Sequence, residues 1–366
     1  MSDRKKNIAV VLLTGMLMIG LFLISIVKPS EEVSVSERRP LKQYPKLQKE
    51  SVLSGVFMRE FEEYASDQFP FREKFRRLYA DISTEILRKK DMDGLYLRED
   101  MAIAKEYPLN EASLDHTVDV FQRIYETNLK GKSRDIYLSI IPDKNYFLQD
   151  DTSVLSMDYD YFFQKMKEGL PYMKYIDCAP FLTLDDYYKT DPHWRQEKIE
   201  DVAIFLADAM GTTVGTPCDR IPVQEYFRGT YAGQAARPLP SEKMYYLTNP
   251  VIQKCRVYDK ENERQIGMYD EKKAKGRDPY ECYLSGPLSY ITIENPTAKS
   301  EKELIIFRDS FASAIAPLLA EGYSKITLLD IRYLPSYSLQ SLVDFEEKDI
   351  LFLYSTSVLN HSETLK

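Results

Sequence analysis

The chain has 366 residues, 44% of them hydrophobic, enough to fill the core of one large domain or two smaller ones. A net charge of −8 excludes the basic footprint of a nucleic-acid binder. Three histidines and four cysteines (Cys178, Cys218, Cys255, Cys282), with no C-x-x-C spacing, form no metal-ligand pattern, and no metal or cofactor is implied. The four thiols admit three full pairings or none, and spacing does not choose among them.

From the N-terminus, Arg4, Lys5 and Lys6 precede an uncharged apolar run, Ile8 to Val27. These 20 residues, at a rise of ~1.5 Å each, match a bilayer core of ~30 Å. The run is long for a cleaved signal, and "SIVKPS" is a poor A-x-A site, so an uncleaved signal anchor is expected. The basic excess before the span places residues 1–7 in the cytoplasm and the chain beyond Lys28 outside. Residues 28–50, charged and broken by Pro29, Pro40 and Pro45, read as an extended tether. Residues 51–366 are expected to form the folded domain.

That domain opens with two helical stretches, "VLSGVFMREFEEYASDQ" and "PFREKFRRLYADISTEILRKK", with Pro70 in the first turn of the second. Arg72 reads as a structural residue there. Strands and helices then alternate. "DIYLSII", "YID", "ELIIF", "KITLLD" and "DILFLYS" read as strands; "WRQEKIEDVAIFLADAMG", "SFASAIAPLLAEG" and "SLQSLVDFEEK" read as helices. The alternation predicts an α/β domain with a mainly parallel sheet and helices on both faces. Residues 211–300 read as a β-rich insertion. Sites in such sheets lie at the carboxyl ends of the strands. That rule sends Asp143, the Asp191–His193 loop, Ser310 and Asp330–Tyr333 to one rim.

Two motifs on that rim carry chemistry. In "IIFRDSFASAI" a buried strand runs into Asp309–Ser310 and a helix begins at once. A serine there has its N–H at the positive end of a helix, where an oxyanion is stabilised. The same residues fit an ordinary helix cap. In "TDPHW", His193 can take a serine proton and Asp191 can orient the ring. Asp191 equally fits a cap, with Pro192 in the first helical turn. The other histidines, His116 in a predicted helix and His361 in the C-terminal tail, have no such setting. Each motif supplies what the other lacks.

Together, "TDPHW" and "FRDSF" resemble the DHHW protein family. Similar pieces, "ERRPLKQYPKL", "SDQFPFREKF", "DGLYL", "IIPDKNYF", "FRGTYAG" and "DIRYL", extend the resemblance over nearly the whole chain after the anchor. That family is similar to the SGNH-like O-acetyltransferases that act on alginate and related exopolysaccharides. The resemblance implies an SGNH-hydrolase-like (flavodoxin-like) fold and a triad of Ser310, His193 and Asp191. It implies acetyl transfer to a cell-surface polysaccharide, or hydrolysis of its acetyl esters. It further implies an acetyl donor supplied by a multi-spanning membrane O-acyltransferase, because acetyl-CoA is cytoplasmic and this chain has a single span. Two positions depart from the pattern. Pro192 stands where the family's name motif has a second histidine, and Arg308 stands where SGNH proteins often have glycine. A side chain at Arg308 would crowd or charge the site.

Other candidates surround the triad. Gly229 could offer a second oxyanion N–H, Arg332 and Tyr333 could line the pocket, and Trp194 could stack on a sugar ring. Turn and packing roles fit Gly229 and Trp194 equally. Asp143, Lys144 and Asn145 end a strand with no assigned role. A non-catalytic polysaccharide-binding or scaffold protein on the same fold is the alternative reading.

Overall fold

The computed structural model describes residues 3–34, 36–98 and 100–366. The chain divides into two compact units, residues 1–89 with 232–238, and residues 90–231 with 239–366.

In the first unit, helix α1 (Asp3–Val27) is 25 residues long, with none of its side chains buried. It is long and apolar enough to cross a membrane. The segment expected to be a loose tether is folded. Val33–Ser34 pairs antiparallel with Arg39–Pro40, and the charges of this segment find partners on two helices. The helices are α2 (Val56–Asp67) and α3 (Arg72–Asp81). Arg39 makes a two-pronged bond to Asp67 at 2.8 and 2.6 Å, and Arg72 reaches Glu37 at 2.6 Å. Charges that look solvated in a linear reading thus fold the segment by pairing. The first predicted helix is broken at Gly55, whose φ of +77° suits glycine. Pro70 lies in the bend before α3, and the helix begins at Arg72 with Phe71 at its N-cap.

The second unit is built on an eight-stranded sheet. Its strands are β1 (Ile136–Ile141), β2 (Lys174–Tyr175), β3 (Arg256–Asp259), β4 (Arg264–Ile266), β5 (Tyr290–Glu294), β6 (Glu303–Arg308), β7 (Lys325–Leu329) and β8 (Asp349–Ser355), in the order β4-β3-β5-β7-β6-β8-β1-β2. The run β7-β6-β8-β1-β2 is parallel. The β-rich insertion builds largely on this same sheet. Its strands β3, β4 and β5 extend the sheet antiparallel, and only Asp219–Phe227 with Glu242–Thr248 form a hairpin of their own.

Central strands are apolar because both faces are covered. Leu304 and Ile306 of β6 pack on one side, with α6 (Glu200–Ala209) and α7 (Ala312–Leu319). Ile305 and Phe307 pack on the other, with α4 (Glu111–Ile124) and α5 (Tyr159–Gly169). The two-residue alternation of β6 therefore divides the core between two layers. Side-chain caps start the helices on one layer: Asn110 accepts from the Ser113 N–H, and Asp158 from the Tyr161 N–H. The helix predicted from Trp194 begins only at Glu200, and the helix predicted over 338–348 shrinks to Leu339–Leu342. All four cysteines are free.

The Phe352 ring is fully buried between Phe121 and Phe307, with ring centroids 4.6 and 4.5 Å away. Phe352→Ala leaves a cavity at the centre of the sheet. It should lower unfolding free energy by about 3–5 kcal/mol, read from the midpoint shift in urea denaturation of the variant against the parent.

Candidate active site

At the carboxyl end of β6 the chain turns through Asp309 and Ser310 into α7. Asp309 shapes the turn from within. One carboxylate oxygen accepts the Phe311 N–H at 2.9 Å, and the other accepts the N–H and hydroxyl of Ser355, at the end of β8, both at 2.7 Å. The cap and the turn expected here are therefore one device, and it leaves Ser310 at the rim. Among the described residues, no acceptor takes the Ser310 N–H.

His193 arrives from the loop after β2. Tyr187 and Trp194 pair across this loop, and the Tyr188 N–H donates to the His193 carbonyl at 3.0 Å, so residues 187–194 form a tight hairpin with Asp191 and His193 near its tip. Trp194 is fully buried, and its indole N–H donates to the Phe311 carbonyl at 3.1 Å. It has no free face for a sugar ring. It pins the hairpin to the serine turn instead.

The consequence is a continuous hydrogen-bond chain. His193 Nδ1 lies 2.6 Å from Asp191 Oδ1, and His193 Nε2 lies 2.7 Å from Ser310 Oγ. An ionised carboxylate accepts only, so Nδ1 carries the proton and Nε2 is the acceptor facing the serine hydroxyl. Asp191 is buried. Burial alone would raise its pKa, but His193 and the N–H groups of Thr230 and His193 outweigh it and hold the carboxyl below its ordinary value. The Tyr280 ring lies flat on the imidazole, with centroids 3.8 Å apart and planes 10° apart, and fixes the plane of the ring.

The structure assigns other candidates differently. The Gly229 N–H donates to Thr190 Oγ1 at 2.8 Å and is not free for an oxyanion. Its missing side chain matters more. A Cβ there would lie 2.3 Å from Asp191 Cβ and 2.4 Å from the Thr190 carbonyl oxygen. Only glycine lets the next residue, Thr230, bring its N–H to Asp191 Oδ2 at 3.1 Å. Arg332 is held by Asp330 at 2.9 and 2.6 Å, and Tyr333 is exposed. Neither touches the three site residues among the described contacts. Arg308 does not crowd the serine. Its guanidinium is buried against Ser313 Oγ at 2.7 Å and the Leu288 carbonyl at 2.8 Å. His116 meets the Leu365 carbonyl, and His361 pairs with Glu106, so neither enters the site.

Lys144 gains a role that no local signal carried. It is buried, and its ammonium donates to the carbonyls of Ala102 and Tyr188. It thus ties the end of β1 to the hairpin that carries Asp191 and His193. Beside it, Asp143 accepts from Tyr159 and Thr356, tying β1 to α5 and β8. Tyr280 was equally hidden, because its contact with His193 spans 87 positions of an otherwise unremarked segment.

Two outcomes follow from this geometry. Gly229→Ala displaces Asp191, so the parent should show a low-field NMR proton resonance for the His193–Asp191 bond, and the variant should lose it while the circular dichroism is kept. For Lys144, burial pushes the ammonium down to about 7. Above that pH and below the usual lysine range of about 10.4, the unfolded chain holds a proton that the folded chain lacks, so this group makes stability rise with pH there. Urea denaturation of Lys144→Met across this window should show a flatter pH slope than the parent.

No family model matches the chain, and no curated protein matches it in sequence. Solved structures do match. A DHHW family protein from Eubacterium siraeum is similar at 16% identity and a TM-score of 0.60, over 75% of this chain and 95% of that one. Bacillus cereus PatB1 with a sulfonyl adduct is similar at 19% identity and a TM-score of 0.55, over 72% of this chain and 95% of that one. A second structure of PatB1 matches at 18% identity and a TM-score of 0.54, over 72% of this chain and 96% of that one. In its sheet and covering helices the chain thus has an α/β fold similar to that of a DHHW family protein and of PatB1.

Proposed function

We propose that the protein is a membrane-anchored, extracytoplasmic O-acetyltransferase or acetylesterase that acts on a cell-surface polysaccharide through a Ser310–His193–Asp191 triad. The observation that carries this reading is the unbroken bond chain from the serine hydroxyl through the imidazole to a buried carboxylate. The similarity in fold to PatB1, and to a protein of the family whose motifs the chain resembles, supports it.

The residues would act in two half-reactions. Ser310 Oγ attacks the acyl carbonyl carbon as its proton passes to His193 Nε2. The Ser310 N–H faces the oxyanion. The bond to the leaving group breaks, and that group takes the proton from His193. A sugar hydroxyl or water then attacks the acyl-serine and gives its proton to His193, and the ester bond to Oγ breaks with return of the proton to serine. Asp191 keeps the imidazole in the tautomer both steps need and stabilises its charge. In this reading α1 anchors the chain, and the acetyl group arrives from a multi-spanning membrane O-acyltransferase.

A sulfonyl fluoride and p-nitrophenyl acetate test the reading together. The parent should gain one sulfonyl group at Ser310, found by mass spectrometry of its peptides, and should release p-nitrophenol. Ser310→Ala should take up no sulfonyl group at this site and lose at least about 10³-fold in rate. A folded parent that neither labels at Ser310 nor turns over ester would sink the catalytic reading in favour of a binding or scaffold protein.

A further inference from the structure

The face of α3 opposite its packed side is an unpartnered apolar stripe. Phe71, Phe75, Leu78, Tyr79, Ile82 and Ile86 recur at helical spacing from the bend through the helical turn after α3, and all are at least 36% exposed. The other face is occupied. Arg72 bonds Glu37, Arg76 bonds the Gly233 carbonyl at 2.9 Å, and Ala80 and Ser83 are fully buried. So large a stripe of exposed aromatic and aliphatic side chains on a folded unit needs a cover.

Three observations name the cover. First, charge. Residues 68–89 hold six basic and three acidic residues in a chain of net charge −8. Lys74, Arg77, Arg88 and Lys89 form no ion pair among the described residues, and the ammonium groups of Lys74 and Lys89 lie 5.5 Å above the rings of Phe71 and Tyr79. Cations folded back over aromatic rings at the edge of an apolar face suit an interface between hydrocarbon and anionic headgroups. Second, continuity. Ile24 and Lys28 at the end of α1 line the same open groove, of about 740 Å³, as Pro70, Phe71 and Lys74. The Glu31 N–H donates to Gln68 Oε1 at 2.9 Å, and Gln68 Nε2 donates to the Glu31 carbonyl at 2.8 Å, so the chain leaving α1 is stitched to the bend that starts the stripe. Third, Phe71 has a φ of +59° and is 52% exposed, so neither backbone preference nor packing within the unit favours an aromatic residue there.

We propose that this face of α3 lies in the outer headgroup region of the bilayer that α1 crosses, with the Phe71, Phe75, Leu78 and Ile82 side chains in the acyl boundary and the flanking cations on anionic phospholipid. The proposal rests on the reading of α1 as a membrane anchor. It makes the first unit a second membrane contact beside that anchor.

The full chain, reconstituted in nanodiscs of phosphatidylglycerol and phosphatidylcholine, gives the test. Phe75→Trp and Leu78→Trp place a fluorophore on the stripe, Phe22→Trp reports α1, and Tyr226→Trp, 81% exposed, is the water control. Brominated lipid should quench and blue-shift the two stripe probes along with Phe22→Trp and leave Tyr226→Trp unchanged. Quenching at the stripe should weaken when phosphatidylglycerol is omitted. A quenched Phe22→Trp with unquenched stripe probes overturns the proposal and leaves the anchor reading intact. A blue shift without quenching also overturns it, and points to a second protein surface. Unquenched Phe22→Trp with quenched stripe probes removes the anchor reading and overturns the proposal as stated, since no bilayer is then crossed by α1. Loss of quenching at all three removes both.

Discussion

A buried carboxylate must be surrounded by donors, and the site is arranged around that demand at Asp191. Its oxygens take the imidazole N–H, the His193 backbone N–H and the Thr230 N–H. Each donor comes with a structural requirement. The Thr230 N–H needs a glycine before it, because Gly229 passes against Asp191 with no room for a side chain. The imidazole needs a tight hairpin, closed by Tyr188 and anchored by Trp194. Segments near 190, 229 and 310, far apart in sequence, are thereby drawn to one point. Charge satisfaction, more than packing, sets their mutual positions.

The same logic repeats along the rim of the sheet. Asp309 bonds the end of β8 while it shapes the serine turn. Asp143 at the end of β1 bonds Thr356, just past β8, and Tyr159 of α5. Desolvation, with the nearby charge of Glu106, lifts its carboxyl to about 6. Lys144 then joins Ala102 to the hairpin of Asp191 and His193 through two carbonyls. A run of buried polar groups thus crosses from β6 through β8 and β1 to the His193 loop. Fully bonded networks of this kind are stiff, and they hold His193 Nε2 2.7 Å from Ser310 Oγ.

Much of this was legible from residue order. The strand–helix alternation and the rule of carboxyl strand ends brought Asp143, Ser310 and the His193 loop to one rim. The two motifs completed each other, so Ser310, His193 and Asp191 could be named without coordinates. What stayed hidden was long-range. Gly229 looked like an N–H donor because its real constraint, the approach to Asp191, exists only after folding. Trp194 fitted packing as well as a sugar platform, and its partner, the Phe311 carbonyl, lies 117 positions away. Lys144 and Tyr280 had no local pattern, since their partners lie 44 and 87 positions away. The segment of residues 28–50 read as a tether because ion pairs such as Arg39–Asp67 leave no period in a sequence. The insertion read only as β-rich, because strand type does not disclose which sheet a strand joins.

The four free cysteines share one chemical setting. Burial pushes the Cys178 thiol up to about 12 and those of Cys218 and Cys255 to about 11, and raises Cys282 as well. Thiolate, not thiol, attacks disulfides and electrophiles, so at neutral pH these sulfurs are almost inert. Unpaired thiols in such settings are slow to exchange, so they do not scramble the fold.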